Sequence, residues 1–358
     1  AAGTVLLDEA LPVLFGEADG AAHLEVRSSS MLAIRSVVTG TSPTGGRFSA
    51  EIPVVAAGEG TGAGTWPLLL PGLKVTQAVR CNLVLAETTG RSTRVALRLF
   101  DASGRALGRG ELSVPAWGNT QVALPAAVGL AGFVPEASSL RVEPLEGEGR
   151  VVAVATLVDN VSASFSVVTG RPAPQDSNDG AGPQVVASIV QAAGIEAFFT
   201  TELSISTAAP NAAPLRLTYD FAGTDVDGEA IRGSVAQDVL LPRDGALPIG
   251  LGGNVVRSLF GRGPRTNTSG TLRIEGDGAG RVLARAAVST PRDLGDASRG
   301  TMTAEVPAVG PESPEAVGPG ASPTVVLPGL RAWSRERVNL IVSEVTGTPA
   351  LVTLRLFG

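Results

Sequence analysis

What this sequence lacks narrows its chemistry first. Among 358 residues there is one cysteine, Cys81, and one histidine, His23. A lone cysteine excludes an intramolecular disulfide and any cysteine-built metal site. A lone histidine excludes multi-histidine metal centres and leaves little general-base chemistry. Lys74 is the only lysine, and aromatic residues amount to 4%, with Tyr219 the single tyrosine. The net charge is −6 and the sequence pI about 5.1, so the basic footprint that supplies most nucleic-acid affinity is missing. No apolar run approaches the roughly 18 residues a membrane helix needs. The first residues, Ala1-Ala2-Gly3, show no signal-peptide pattern.

What is present points to strands and turns. The chain has 45 glycines, 25 prolines and 44% hydrophobic residues. That is too apolar for a disordered chain and too rich in breakers for a helical bundle. The length suggests two to three domains.

Internal repetition is the strongest signal. Residues 68–100 and 325–357 align without a gap, with about 15 of 33 positions identical. The shared residues include Pro71-Gly72-Leu73 with Pro328-Gly329-Leu330, and Asn82-Leu83 with Asn339-Leu340. Leu97-Arg98-Leu99-Phe100 matches Leu354-Arg355-Leu356-Phe357. A more diverged copy runs over 186–221. These segments form the front half of a repeating unit. A rear half recurs as His23-Leu24-Glu25-Val26, Leu140-Arg141-Val142-Glu143 and Leu272-Arg273-Ile274-Glu275. Each is followed by a long apolar strand beginning at Met31, Val151 and Val282.

Breaker-rich stretches at 56–65, 171–183 and 309–323 read as linkers. The expected organisation is a partial module with a rear half over 1–62, complete modules over 63–175 and 182–311, and a front half over 322–358. Val95 to Leu99 and Leu215 to Tyr219 alternate apolar with small or polar residues, the period of a half-buried strand. Asp101-Ala102-Ser103-Gly104 and Asp225-Val226-Asp227-Gly228 are hairpin turn signals. The expected fold is all-β: tandem antiparallel β-sandwich (Ig-like) modules of roughly seven strands, joined by Gly/Pro-rich linkers. Short helical turns are expected within 122–133 and 255–260.

Candidate chemistry is thin. His23 sits where a turn becomes a strand, and the Ser28-Ser29-Ser30 turn has no base beside it. Carboxylate pairs at Asp8-Glu9, Glu146 with Glu148, and Asp225 with Asp227 lie at predicted turns or strand ends. Calcium is the one ligand with clustered oxygen donors: Asp225, Asp227 and Glu229 in one loop, Asp176 and Asp179 in another, each with a nearby glycine. Neither matches the twelve-residue calcium loop, and a hairpin turn and a linker explain them as well. Trp66, Trp117 and Trp333 do not form a repeated sugar platform and read as caps on sandwich ends. Cys81 aligns with Val338 and reads as a small core residue. Asn160-Val161-Ser162 and Asn267-Thr268-Ser269 match the glycosylation acceptor pattern.

The phrases Arg80-Cys81-Asn82-Leu83, Arg337-Val338-Asn339-Leu340 and the strand Val152 to Asn160 carry a resemblance. It is to tandem Ig-like, adhesin-like β-sandwich modules of large secreted or cell-surface bacterial proteins. The middle unit departs from the pattern, with Phe199-Thr200-Thr201-Glu202-Leu203 in place of Arg-x-Asn-Leu. The resemblance implies an extracellular array and brings no catalytic residues; no cofactor is expected beyond the calcium candidates above, and no membrane span or nucleic-acid partner. The expected function is a non-enzymatic structural or adhesive role, such as a fibre or surface-layer subunit whose partners are other copies of itself or flanking modules. The half-modules at the two ends have two readings: the chain is a piece of a longer array, or residues 325–358 of one copy complete the rear half of the next by strand addition. The alternative is a sugar- or calcium-binding accessory region of a larger secreted enzyme.

Overall fold

A computed structural model describes residues 60–172, most of 183–309, two strands within 36–52, and a few residues elsewhere. The N-terminal strands β1 (Ser36–Thr41) and β2 (Arg47–Ile52) pair antiparallel. The first unit then runs β3 (Leu68–Val75), β4 (Val79–Glu87), β5 (Thr93–Phe100), β6 (Ala106–Val114), β7 (Asn119–Ala123) and a short helix Leu124–Ala127. It continues with β8 (Val134–Gly147), β9 (Val151–Asp159), β10 (Phe165–Thr169) and β11 (Arg171–Pro172). The second unit is β12 (Gln184–Ala193), β13 (Phe198–Thr207), β14 (Ala213–Thr224), β15 (Ala230–Leu241), β16 (Ala246–Ile249) and a helix Val255–Phe260. It closes with β17 (Asn267–Glu275), β18 (Val282–Asp293) and β19 (Asp296–Val309). Both helices fall where the sequence leaves room for a helical turn.

The two units share one topology. In the first, β11-β3-β8-β5-β6 form one sheet and β10-β9-β4-β7 the other. In the second, β12-β17-β14-β15 and β19-β18-β13-β16 repeat those orders strand for strand. The closing strand crosses between sheets in both. β11, one residue beyond β10, pairs Arg171 with Leu69, and the end of β19 pairs Val309 with Val185. In the second unit this crossing joins all eight strands into a continuous half-barrel. The fold is therefore all-β and antiparallel, with eight main strands per unit rather than about seven. Its strand order differs from the immunoglobulin ABED/CFG arrangement, since β5–β6 and β9–β10 are the consecutive neighbours in the first unit.

Alternation explains why these segments become strands with one buried face. In β4, Cys81, Leu83 and Leu85 enter the first core while Asn82, Val84 and Ala86 are only half-buried. Leu97, Leu99, Leu140 and Val142 meet them from the first sheet and Ala153 and Ala155 from β9, so both sheets bury one common interior. Fully burying each such leucine stabilises by roughly 1.5–3 kcal/mol. The second core is built the same way by Leu203, Ile205, Leu215, Leu217, Tyr219 and Leu272. Tyr219 stacks between Phe221 and Phe260 at 5.4 Å from each, and its hydroxyl donates to the Ile189 carbonyl at 3.3 Å.

The hairpin turns repeat down to their hydrogen bonds. Asp101 Oδ1 accepts from the Ser103 and Arg105 backbone N–H groups. Asp225 Oδ1 accepts from those of Asp227 and Glu229. Gly104 and Gly228 follow at φ +82° and +84°, the left-handed position such five-residue loops need.

Candidate functional site

The most built feature outside the two cores is the joint between the units. Along β13 and β18 of the second unit, Leu203, Ile205 and Ala286 point into the core. The alternate residues Glu202, Ser204 and Ser206 pair across with Ala287, Arg285 and Leu283 on the outer face. An antiparallel sheet commonly leaves such a face to water, yet Ser204 is 7%, Ser206 0% and Ala287 4% exposed. The first unit covers them.

Three sets of contacts make the cover. Gly72, in the β3 bulge where register shifts between Leu70 and Leu73, sits at φ +69° against Ser204 and Arg285. Its carbonyl accepts from Arg285 Nη1 at 3.3 Å, and Arg285 Nη2 reaches Ser166 Oγ at 3.4 Å. Beside it, Lys74 Nζ lies 3.5 Å from Glu202 and 3.7 Å from Glu136. At the other end, Arg141 of β8 donates to Asp244 Oδ1 at 2.5 Å and to the Ala208 carbonyl at 3.3 Å. Its guanidinium lies 5.3 Å from the Phe100 ring centroid. The two turns also touch through backbone: Ala246 N–H donates to the Ala102 carbonyl at 3.2 Å. A methyl group at Gly104 would overlap the Arg243 carbonyl.

The joint is polar. Besides its ion pairs it buries Arg141 Nε, Ser204 Oγ and Ser206 Oγ without a protein hydrogen-bond partner. Polar and charged groups held this way fix geometry more than they add stability. Chemically the arrangement can set two sandwiches in one relative orientation.

A second polar centre lies at one end of the first unit. Glu87, fully buried, ends β4. Its Oε1 accepts from the backbone N–H of Thr89 at 2.7 Å and Arg150 at 3.2 Å, and from the Thr89 hydroxyl at 2.5 Å. Its Oε2 accepts from Gly90, Arg91 and Trp117 N–H at 2.7, 3.1 and 3.1 Å. Burial pushes this carboxyl up. The bonds from the Thr89 hydroxyl and from the Trp117, Thr89 and Arg150 N–H groups reverse that and bring it down to about 2. The sequence holds a signal for this centre: Glu87-x-Thr89-Gly90 recurs as Glu344-x-Thr346-Gly347.

The candidates named from sequence are placed as follows. Asp225 anchors its hairpin turn, and Asp227 and Glu229 donate backbone N–H groups to it. Asp176, Asp179, His23, Asp8, Glu9 and Trp333 lie outside the described residues. Among the described residues no three His, Cys, Asp or Glu side chains are grouped as a metal ion would require. Glu146 and Glu148 pair with Arg94 and Arg91 rather than with each other. Cys81 is a core residue, its thiol pushed up to about 12 by burial, with Arg285 acting in the opposite direction. Trp66 and Trp117 are 44% and 46% exposed. Trp117, at φ +52°, lies over Gly90, where a methyl group would overlap its indole, so it caps that end of the sandwich. Asn160 accepts from Arg80 Nη1 at 2.8 Å and donates to the Gln77 carbonyl at 2.9 Å. The joint residues Arg141, Asp244, Glu202 and Arg285 carry no signal of it in the sequence, because a contact between repeats leaves no local motif.

The class these observations define is an antiparallel all-β chain of repeated two-sheet units. No protein-family model matches it, and no curated protein does. Solved structures that resemble it include three of β-glucuronidases from Bacteroides uniformis. One is a β-glucuronidase at 11% identity and TM-score 0.15, covering 66% of this chain and 25% of that one. Another is a calcium-binding mutant of β-glucuronidase 2, at 12% identity and TM-score 0.16, covering 72% and 29%. The third is β-glucuronidase 2 covalently bound to cyclophellitol-6-carboxylate aziridine, at 12% identity and TM-score 0.15, covering 66% and 25%. The chain spans little more than a quarter of these proteins, and scores this low carry no argument about its role.

Proposed function

We propose that this chain is a structural repeat protein of the cell exterior: a rod of β-sandwich units that assembles head to tail into a fibre or surface layer. The observation that carries the reading is the joint. On the outward face of β13 and β18, Ser204, Ser206 and Ala287 are buried and Glu202 and Arg285 half-buried; the neighbouring unit meets this face through Gly72 and Lys74 and the adjoining turn through Arg141. Independent domains on flexible linkers have no need of such contacts. The finer assignment, an adhesin-like array, rests on the sequence resemblance alone, since the strand order is not that of the immunoglobulin sandwich. The repeat halves support head-to-tail completion: residues 325–357 are a copy of 68–100, which in the first unit supply β3, β4 and β5. A contact of this kind is heterologous and propagates unless a ring closes.

Sedimentation velocity of the purified chain across a wide concentration range tests the proposal. Concentration-dependent growth into extended species is the expected result. A compact monomer at every concentration contradicts it.

A further inference from the structure

Strand β15 forms an edge of the second unit, and among the described residues β14 is its only pairing partner. It is 12 residues long and pairs with β14 from Ala230 to Leu241 without a break in register. An edge of this kind offers a row of open backbone donors and acceptors, which proteins ordinarily guard with a bulge, a proline or a lysine. The strand AIRGSVAQDVLL has none of these. The corresponding edge of the first unit, β6, is shorter at 9 residues, and its register shifts between Leu99 and Phe100.

The charges on β15 are arranged for a copy of itself. Ile231, Val235 and Val239 pack against the core, so the alternate residues from Ala230 to Leu240 point outward, and all of these are exposed. Two of them are charged, Arg232 and Asp238, and they stand symmetrically about Val235. A second β15 laid antiparallel along the edge, about a two-fold axis at Val235, sets Arg232 opposite Asp238 twice, a favourable cross-strand pair. An axis at Ser234 or Ala236 sets Arg232 opposite Ala236 or Leu240 instead, and an axis at Arg232 or Asp238 opposes like charges. An axis between residues would set an outward side chain against an inward one. The neighbouring strands favour the same register. Glu275, Arg216 and Asp238 share one row across β17, β14 and β15, with Arg216 Nη1 3.0 Å from Asp238 Oδ1. Arg232 of a second copy extends that row to four alternating charges. The row of Arg232 itself continues into Ala222 and Ser269 and holds no carboxylate. On the inward face Val235 meets its copy and Ile231 meets Val239. On the outward face Leu240, 65% exposed, meets Ala230.

We propose that β15 is a self-recognising edge: two copies of this chain pair antiparallel along it about a two-fold axis at Val235, with Arg232 of each against Asp238 of the other. The β12-β17-β14-β15 sheets of the two copies become one continuous sheet. The contact is isologous and closes on a pair, so it stands apart from the head-to-tail reading. Combined with that reading, it ties neighbouring rods side by side.

The test uses the full chain. Ala230→Cys with Leu240→Cys leaves the charges in place and sets thiols opposite each other across the axis, at about 4.5–5.5 Å between Cα atoms, within reach of a disulfide. Within one chain the same positions are about 33 Å apart along the strand, and the native Cys81 is buried. Mild oxidation is expected to give a covalent dimer and nothing larger, absent from either single variant. Adding Arg232→Glu, which opposes carboxylates on both sides of the axis, is expected to slow dimer formation roughly tenfold, with the circular dichroism melt showing a folded chain. No dimer from the double variant, equal dimer from a single variant, or a rate unchanged by Arg232→Glu overturns the proposal. A chain that grows into extended species but gives no covalent dimer loses this contact and keeps the head-to-tail reading. One that gives the covalent dimer and never grows further keeps this contact and loses that reading.

Discussion

Glu87 offers the sharpest perturbation of a single unit. One carboxylate, excluded from solvent, organises the loop 88–91, the Trp117 turn and the start of β9 through five backbone N–H groups and a hydroxyl. Hydrogen bonds to a charged group contribute about 1.5–3 kcal/mol each when removed singly. Here the losses are shared, because the loop edges can turn to water. Deleting one partner of a buried charged network costs about 3–5 kcal/mol, which is the loss expected for Glu87→Ala. Glu87→Gln keeps one oxygen and turns an amide nitrogen toward three donors, and about 2–3 kcal/mol is expected. The sign of the pH effect follows from a carboxyl whose folded value, about 2, lies below its ordinary 4.5. Its contribution is complete above about pH 5 and is lost as pH falls through 4.5 toward 2. Urea unfolding of wild type and Glu87→Gln at several pH values measures this directly. The difference between them narrows on acidification if the reasoning holds, and a difference constant from pH 6 to pH 2.5 refutes it.

Other outcomes can be checked with standard measurements. Arg141→Ala removes the Asp244 and Ala208 contacts across the joint and is expected to cost about 2–3 kcal/mol, splitting one calorimetric transition into two as the units uncouple. Gly104→Ala, at φ +82° and against the Arg243 carbonyl, is expected to loosen the same joint by about 1–3 kcal/mol, seen as increased proteolysis between the units. Cys81, buried with its thiol pushed up to about 12, stays unreactive to a thiol reagent at pH 8 until the chain is unfolded. Asp225→Ala removes two turn hydrogen bonds and is expected to cost about 1 kcal/mol equally in calcium and in EDTA. A loss seen only in calcium would favour the calcium-binding alternative.

Much of a unit can be read from local pattern. The period-two alternation marks β4, β5, β9 and β14, and the Asp-x-x-Gly loops mark two hairpins whose bonds then match residue for residue. Cys81 is readable as core because its repeat partner is Val338. The crossing of the closing strand from one sheet to the other is not legible, since it depends on a pairing near Leu69 about 100 residues away. The joint is hidden for a related reason. Glu202, Ser204 and Ser206 look like an ordinary solvated strand face, and the neighbouring unit leaves Glu202 half-buried and the two serines buried. On β4, Val84 and Ala86 alternate with Leu83 and Leu85 as if the strand were buried on both sides, and in the fold they are half-buried. Glu87 is the instructive omission: its motif is in the repeat, but a glutamate at a strand end reads as a surface charge until six donors converge on it.

Electron cryomicroscopy of the pure, concentrated chain tests the central claim most directly. The account predicts linear assemblies of sandwich units in which neighbouring units meet as the two described units do, through contacts like Lys74 with Glu202 and Arg141 with Asp244. Discrete single copies at every concentration, with no second molecule against them, would contradict the account.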